Sequence, residues 1–196
     1  MNTLVVYCHP DPQSFTAAVR DAVVVALAGR GHDVRVRDLY GEGFEARFSA
    51  EERRTHMSPG PHRSVAAHAE ELHWCTHLVL VYPTWWSAQP AMLKGWMDRV
   101  WVRGVAWELP VGAKRVQARL KNVRRITAIT THGSTKWINV IEGEGGKRTV
   151  TRSLRAVCHP LARCSWIAMY DIDTSSPEQR SAFLAKVSRK MGRIRA

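Results

Sequence analysis

Residues 77–82 read His-Leu-Val-Leu-Val-Tyr, and residues 83–100 continue Pro-Thr-Trp-Trp-Ser-Ala-Gln-Pro-Ala-Met-Leu-Lys-Gly-Trp-Met-Asp-Arg-Val. The first stretch has no acidic, Lys or Arg side chain and runs into a proline, the pattern of a short strand buried on both faces. Pro83–Gln89 reads as a loop. Pro90 suits the first position of a helix, and Met92, Leu93, Trp96 and Met97 recur at helical spacing through Ala91–Val102. A buried strand followed by an amphipathic helix is the repeating unit of a parallel sheet with crossover helices.

The same unit recurs on either side. Thr3–Tyr7 is a second apolar run, stopped by Pro10 and Pro12. Ser14 then caps a helix reaching Leu27, closed by Gly29 and Gly31. Asp33–Leu39 alternates as a strand, residues 41–63 form an irregular excursion with a short helix near Glu51–His56, and Ser64–Cys75 has helical spacing with Val65, Ala69, Leu72 and Trp74 inward. Downstream, Arg124–Thr131 and Trp166–Ile172 read as strands and Pro177–Met191 as the closing helix. Five strands alternating with helices predict a flavodoxin-like, doubly wound, five-stranded parallel sheet in three α/β/α layers. A full dinucleotide-binding Rossmann domain normally uses six strands.

A length of 196 residues predicts one domain over 1–196. Hydrophobic residues at 45% and charged residues at 23% exclude wholesale disorder. No apolar run approaches the ~20 residues that span a bilayer, so no stable membrane insertion is expected. The start of the chain carries no basic leader, and Cys8, Cys75, Cys158 and Cys164 contain no CxxC pair or zinc spacing. A cytoplasmic protein without a metal is the expectation. The net charge of +12 is uneven: residues 1–102 carry 10 Lys and Arg against 11 Asp and Glu, and residues 103–196 carry 19 against 6. Such a basic half attracts polyanions, phosphorylated cofactors included, but its scatter gives no nucleic-acid-binding motif and none is expected as partner.

In doubly wound sheets, ligands bind beyond the carboxyl ends of the strands. Three unusual segments fall there: His9–Thr16, Pro83–Ser87 and Thr130–Ser134. His9, Ser14 and Thr16 surround a helix N-terminus, whose unpaired N–H groups favour a phosphate. Pro83-Thr84-Trp85-Trp86 offers backbone amides beside aromatic surface, suited to a flat heterocycle. Thr131-His132-Gly133 lets backbone approach a ligand closely. A flat ring and a phosphate together describe a flavin nucleotide. Each segment also has a plain reading: Ser14 as a cap, Trp85 and Trp86 as rim or dimer-contact aromatics, Gly133 as a strand end. Gly143-Glu144-Gly145-Gly146-Lys147-Arg148-Thr149 fails as a phosphate loop, because Ile141 and Arg148 stand where Gly and Ser or Thr are needed.

His9-Pro10 with Ser14-Phe15-Thr16, the block Tyr82–Val100 with its "PAMLKGWMDRV", and Thr130-Thr131-His132-Gly133 together resemble the NAD(P)H:quinone oxidoreductase family. The resemblance implies a flavin-dependent enzyme, usually a homodimer, that takes hydride from NADH or NADPH and reduces quinones or similar two-electron acceptors. It implies that His9, Ser14, Phe15, Thr16 and Ala17 hold the flavin's phosphate and ribityl region. Pro83, Thr84, Trp85 and Trp86 would pack on the isoalloxazine, with Thr131 and Gly133 at its far edge. The chain lacks the long C-terminal extension of larger FAD-binding relatives, which favours FMN and leaves FAD open. A regulatory flavoprotein subunit of a membrane potassium-efflux transporter is the alternative, since some relatives serve in that way.

Many relatives have Gly-Gly where this chain has His132-Gly133, and the downstream tyrosine–histidine pair of the larger relatives has no clear counterpart among Lys136, Trp137 and Glu142–Gly146. His132 is therefore the candidate catalytic residue. As a cation it would stabilise charge at N1 and O2 of reduced flavin, as backbone N–H groups of Thr131–Gly133 would. The competing reading is a loop histidine facing solvent. Lys147, Arg148 and Arg152 either grip nicotinamide-nucleotide phosphates or form a solvated helix face.

Overall fold

The computed structural model describes residues 1–195, so only the last residue of the expected span lies outside the described residues. The first half runs β1 (Asn2–Tyr7), α1 (Phe15–Ala28), β2 (Asp33–Asp38), α2 (Ala50–Thr55), α3 (Ala66–Trp74), β3 (His77–Pro83) and α4 (Ala91–Val100). The second half runs β4 (Trp107–Glu108), β5 (Gln117–Ala118), β6 (Arg125–Thr131), α5 (Lys136–Ile141), α6 (Gly145–Arg148), β7 (Arg163–Met169) and α7 (Pro177–Met191). Five strands pair in the order β2-β1-β3-β6-β7, all parallel, and β4 with β5 makes a separate antiparallel ribbon. This is the flavodoxin-like order, with its switch point between β1 and β3.

Every residue of the central strand β3 is buried, because it has a neighbour on each edge and helices on each face. Alternate side chains feed two cores. Leu4, Leu78, Leu80 and Ile126 pack with Leu72 of α3 and Leu93 and Trp96 of α4. Val5, Val79, Val81 and Ile167 pack on the other face with Val23 of α1 and Val187 of α7.

Most expected elements are present, with displaced ends. The largest shift is in β7, which spans Arg163–Met169 rather than Trp166–Ile172. It is an edge strand whose first residues, Arg163 to Trp166, are exposed or half-buried, so apolar patterning locates only its second half. Pro90 is the N-cap of α4, not its first residue, and the helix ends at Val100. The expected helix over Ser64–Cys75 begins as a 3₁₀ turn at Arg63–Val65.

The excursion after β2 is pinned to α4. The Arg99 guanidinium, buried, donates to Glu52 of α2 at 2.6 Å, to Ser64 Oγ at 2.7 Å and to the Glu45 carbonyl, and it lies over Phe44. Gly95 faces the same segment: a Cβ there would sit 2.2 Å from the Ala46 carbonyl oxygen. The lack of a side chain is what lets the excursion lie against the helix.

Candidate functional site

Four strands end at one edge of the sheet, and the segments leaving them enclose a cleft of about 320 Å³. His9, Ser14, Phe15 and Thr16 line it from the first, Pro83, Thr84 and Trp85 from the second, Thr131 and Gly133 from the third, and Ile172 and Asp173 from the fourth. The sequence thus brings together nearly all the residues it singled out, in the crevice where strand order reverses.

One end of the cleft is the N-terminus of α1. Ser14 is extended, and its Oγ accepts the Ala17 N–H at 3.2 Å. The N–H groups of Phe15 and Thr16 have no intrahelical partner by construction, and the first turn carries no acidic residue. An anion placed there meets both the free donors and the positive end of the helix dipole. Ala17 serves the cap and is buried beneath the cleft rather than lining it. Arg20 stacks over the Tyr7 ring at 4.6 Å, and the Tyr7 hydroxyl lies 3.4 Å from Ser14 Oγ, which anchors the cap to the end of β1.

The second wall is a tight turn. Trp85 and Ala88 exchange both backbone hydrogen bonds, at 3.2 and 3.1 Å. Between them Trp86 (φ 49°) and Ser87 (φ 56°) are both left-handed, the geometry of a type I′ turn that glycine or asparagine normally fills. Two side-chain-bearing residues held there store backbone strain of about 1–3 kcal/mol each. The turn is held from outside: the Gly146 N–H donates to Ser87 O at 2.9 Å, Ser87 Oγ bonds Glu142, and Gln89 Nε2 donates to Gly146 O at 2.8 Å. The expected array of free amides is corrected in part: Pro83 has none, Thr84 N–H is given to Thr131 O at 2.7 Å, and Trp85 N–H is given to Ala88 O, which leaves the Trp86 amide of the four without a backbone partner among the described residues. Trp86 does not line the cleft either; it is 100% exposed.

The far edge is Gly133. A Cβ there would stand 2.6 Å from Asp173 Oδ2, so the missing side chain keeps this edge open. His132 beside it is buried at 5% exposure, which rules out the solvent-facing reading. Its ring lies outside the main cleft, against a small adjoining space that it lines with Tyr170, Asn139, Glu144 and Lys147. It stacks on Tyr170 at 4.7 Å between ring centroids. Burial holds its pKa below the ordinary histidine value, against the opposing pull of Asn139, Glu144 and Glu142. In the flavin-free protein this favours the neutral ring at pH 7, so a cation at His132 would have to form in response to charge on a bound, reduced flavin. The backbone N–H of His132 is also committed, to Met169 O at 2.8 Å.

Ile172 and Asp173 are the lining residues that sequence reasoning missed. Reading the last strand as Trp166–Ile172 places Ile172 inside the sheet, whereas the chain leaves β7 at Met169, turns left-handed at Asp171 (φ 56°) and forms a 3₁₀ turn over Ile172–Thr174. The Ile172 N–H donates to His132 O at 3.0 Å, which docks this turn on the end of β6. The Asp-Ile-Asp run at 171–173 after a strand is the signal available in the sequence.

A family model described as the flavodoxin-like fold matches residues 1–193. Among curated proteins, the ribosyldihydronicotinamide dehydrogenase (quinone) of Mus musculus is 25% identical over 97% of this chain and 90% of its own length. Among solved structures, an NAD(P)H:quinone oxidoreductase from Methanothermobacter marburgensis superposes with a TM-score of 0.82 at 23% identity, covering 98% of this chain and 96% of that one. An FMN-dependent NADH-azoreductase from Bacillus anthracis str. Ames Ancestor, solved with FMN, gives 0.71 at 16% identity and 98% coverage of both chains. At these identities the two structures speak for the fold.

Proposed function

The chain belongs to the family of flavodoxin-like folds, and from that premise we propose that it is a flavin-dependent oxidoreductase, one domain passing two electrons from NADH or NADPH to a quinone or similar acceptor. The observation that carries this reading is the cleft itself. A helix N-terminus, a turn bearing Trp85 and a side-chain-free edge at Gly133 meet in one crevice of about 320 Å³. The relative named quinone dehydrogenase, 25% identical over 97% of this chain, supports the acceptor class.

The residues fit an FMN-sized group. The N–H groups of Phe15 and Thr16 would hold its single phosphate, with Ser14 fixing the helix end that presents them. Trp85, 42% exposed at the rim, would pack on its ring, and Thr84 and Thr131 would offer hydroxyls along it. Asp173 supplies an acceptor for ribityl hydroxyls. When bound, a flavin supplies the two-electron chemistry; the protein supplies orientation and electrostatics. Arg148 and Arg152, both exposed, would be free to meet dinucleotide phosphates. Among the described residues no helix is long and apolar enough to cross a membrane. The nicotinamide co-substrate supports a cytoplasmic setting.

Steady-state oxidation of NADH and NADPH with a water-soluble quinone tests the activity. Parallel lines in double-reciprocal plots are expected, because donor and acceptor would use one cleft in turn. No quinone-dependent oxidation of either nucleotide by flavin-loaded protein overturns the reading.

A homodimer is part of the proposal. Trp86, Trp137, Ile138 and Ile141 are exposed apolar side chains on two segments that the Ser87–Glu142 bond ties together, and a second copy would bury them. The strained turn makes this measurable. Trp86→Gly removes a left-handed tryptophan, so urea unfolding is expected to show a gain of about 0.5–1 kcal/mol, while sedimentation shows weaker self-association. A variant that loses stability and dimerises as before contradicts both points.

A further inference from the structure

The cleft shares Thr84 with the small space beside His132. That space has room for about 10 Å³, close to the minimum for one water, so the groups around it are set by direct contact. The most constrained of them is Asn139 of α5, 3% exposed. Its Nδ2 donates to the Thr135 carbonyl at 2.8 Å and to Ser134 Oγ at 2.9 Å. A backbone carbonyl can only accept, so this contact decides which end of the amide is nitrogen. Oδ1 then faces His132 Nδ1 at 2.7 Å. Two acceptors cannot bond each other, so Nδ1 carries a hydrogen.

In the neutral ring Nε2 is therefore a bare acceptor, 3.4 Å from Thr84 Oγ1, which is itself 2.8 Å from Thr130 Oγ1. The bonds run one way: Thr130 hydroxyl to Thr84, Thr84 hydroxyl to His132, His132 to Asn139. Protonation of Nε2 reverses the bond to Thr84, which then accepts from the ring and must turn its own hydrogen away from it; Thr130 can accept that hydrogen at 2.8 Å, its own hydroxyl turning to the Thr131 carbonyl at 3.4 Å. One proton on His132 thus rotates a hydroxyl in the wall of the cleft.

We propose that Asn139 is a positioning residue that keeps the single proton of His132 on Nδ1 and so sets which way the Thr84 hydroxyl points in the wall of the cleft that would face the flavin. The part concerning the flavin rests on the function proposed above. The charged and titratable groups facing His132 are Tyr170 beyond β7, Glu142 after α5, and Glu144 and Lys147 at α6. Lys147 is paired with Glu144 at 2.7 Å, which tempers the upward pull of Glu144 on the ring. Asn139 is the polar side chain of α5 that touches it.

Long-range ¹H–¹⁵N spectra of the histidine rings, with His132 assigned through His132→Gln, read the tautomer directly in the purified protein. At pH 7 the wild type is expected to show a protonated Nδ1 and a bare Nε2. Asn139→Asp places a carboxylate on Nδ1–H and is expected to raise the titration midpoint of His132 by about one unit or more. The pH dependence of FMN binding, followed by quenching of its fluorescence, is expected to move by the same amount. Hydrogen on Nε2 in the wild type overturns the proposal without any variant. A midpoint unmoved in a folded Asn139→Asp that binds FMN overturns it as well. Failure of the wild type to bind FMN overturns the flavin reading and the cleft half of the proposal, leaving the tautomer result to stand alone.

Discussion

Arg99→Ala is expected to unfold about 3–5 kcal/mol more easily than the wild type, the range for removing one partner of a buried pair. Arg99 and Glu52 are each 6% exposed, and the guanidinium also holds Glu45 and Ser64. Truncation leaves a buried carboxylate with no counter-charge. The pH dependence follows from Glu52. Burial raises its pKa, but the bonds from Ser49 and Arg99 outweigh that and leave it below the ordinary carboxylate value. In the wild type the pair therefore contributes stability above the unfolded value of about 4.3, and the contribution is lost as pH falls through the folded value. Without Arg99 the same carboxyl keeps its Ser49 bonds but loses the cation that helps hold its pKa down, so the deficit should shrink between pH 7 and pH 4. Urea unfolding at the two pH values, followed by tryptophan fluorescence, checks both. A deficit under 1 kcal/mol at pH 7 would mean that the excursion is held by its apolar contacts instead.

Gly133→Val is expected to leave the fold intact and weaken FMN binding by about ten- to a hundredfold. The backbone there is outside the left-handed region, and the group that a new Cβ meets, Asp173 Oδ2, is the end of an exposed side chain that can swing aside. The remaining methyl groups fill the cleft edge, and overfilling of this kind costs about 1–3 kcal/mol. Fluorescence titration with FMN, beside thermal unfolding of the apoprotein, separates the two effects. Unchanged affinity would remove Gly133 from the flavin's edge.

These two positions show what the sequence makes legible. Gly133 is readable because it follows a buried strand whose end must lie at the switch point, and strand ends are set by local patterning. The same holds for Ser14 and Pro83. Arg99 is not readable: within "GWMDRV" it looks like an exposed helix cation, and its partners Glu52, Glu45 and Ser64 lie 35 to 54 residues away. Asn139 and Asp173 were hidden for a related reason. Each belongs to a short element, and their roles arise from contacts with His132 and Gly133 across the ends of different strands. Charge was the weakest guide. Lys147, read either as a phosphate ligand or as part of a solvated face, is tied to Glu144, and the +12 net charge, concentrated in residues 103–196, names no ligand.

The cleft is expected to bind a flavin and to pass electrons through it. The most direct test is the visible spectrum of the purified chain, loaded with FMN if isolated colourless, recorded without oxygen before and after NADPH or NADH and again after a quinone. A yellow protein is expected, bleached by at least one nucleotide and restored by the quinone, that releases FMN on heating. A chain that stays colourless when mixed with either FMN or FAD would contradict it.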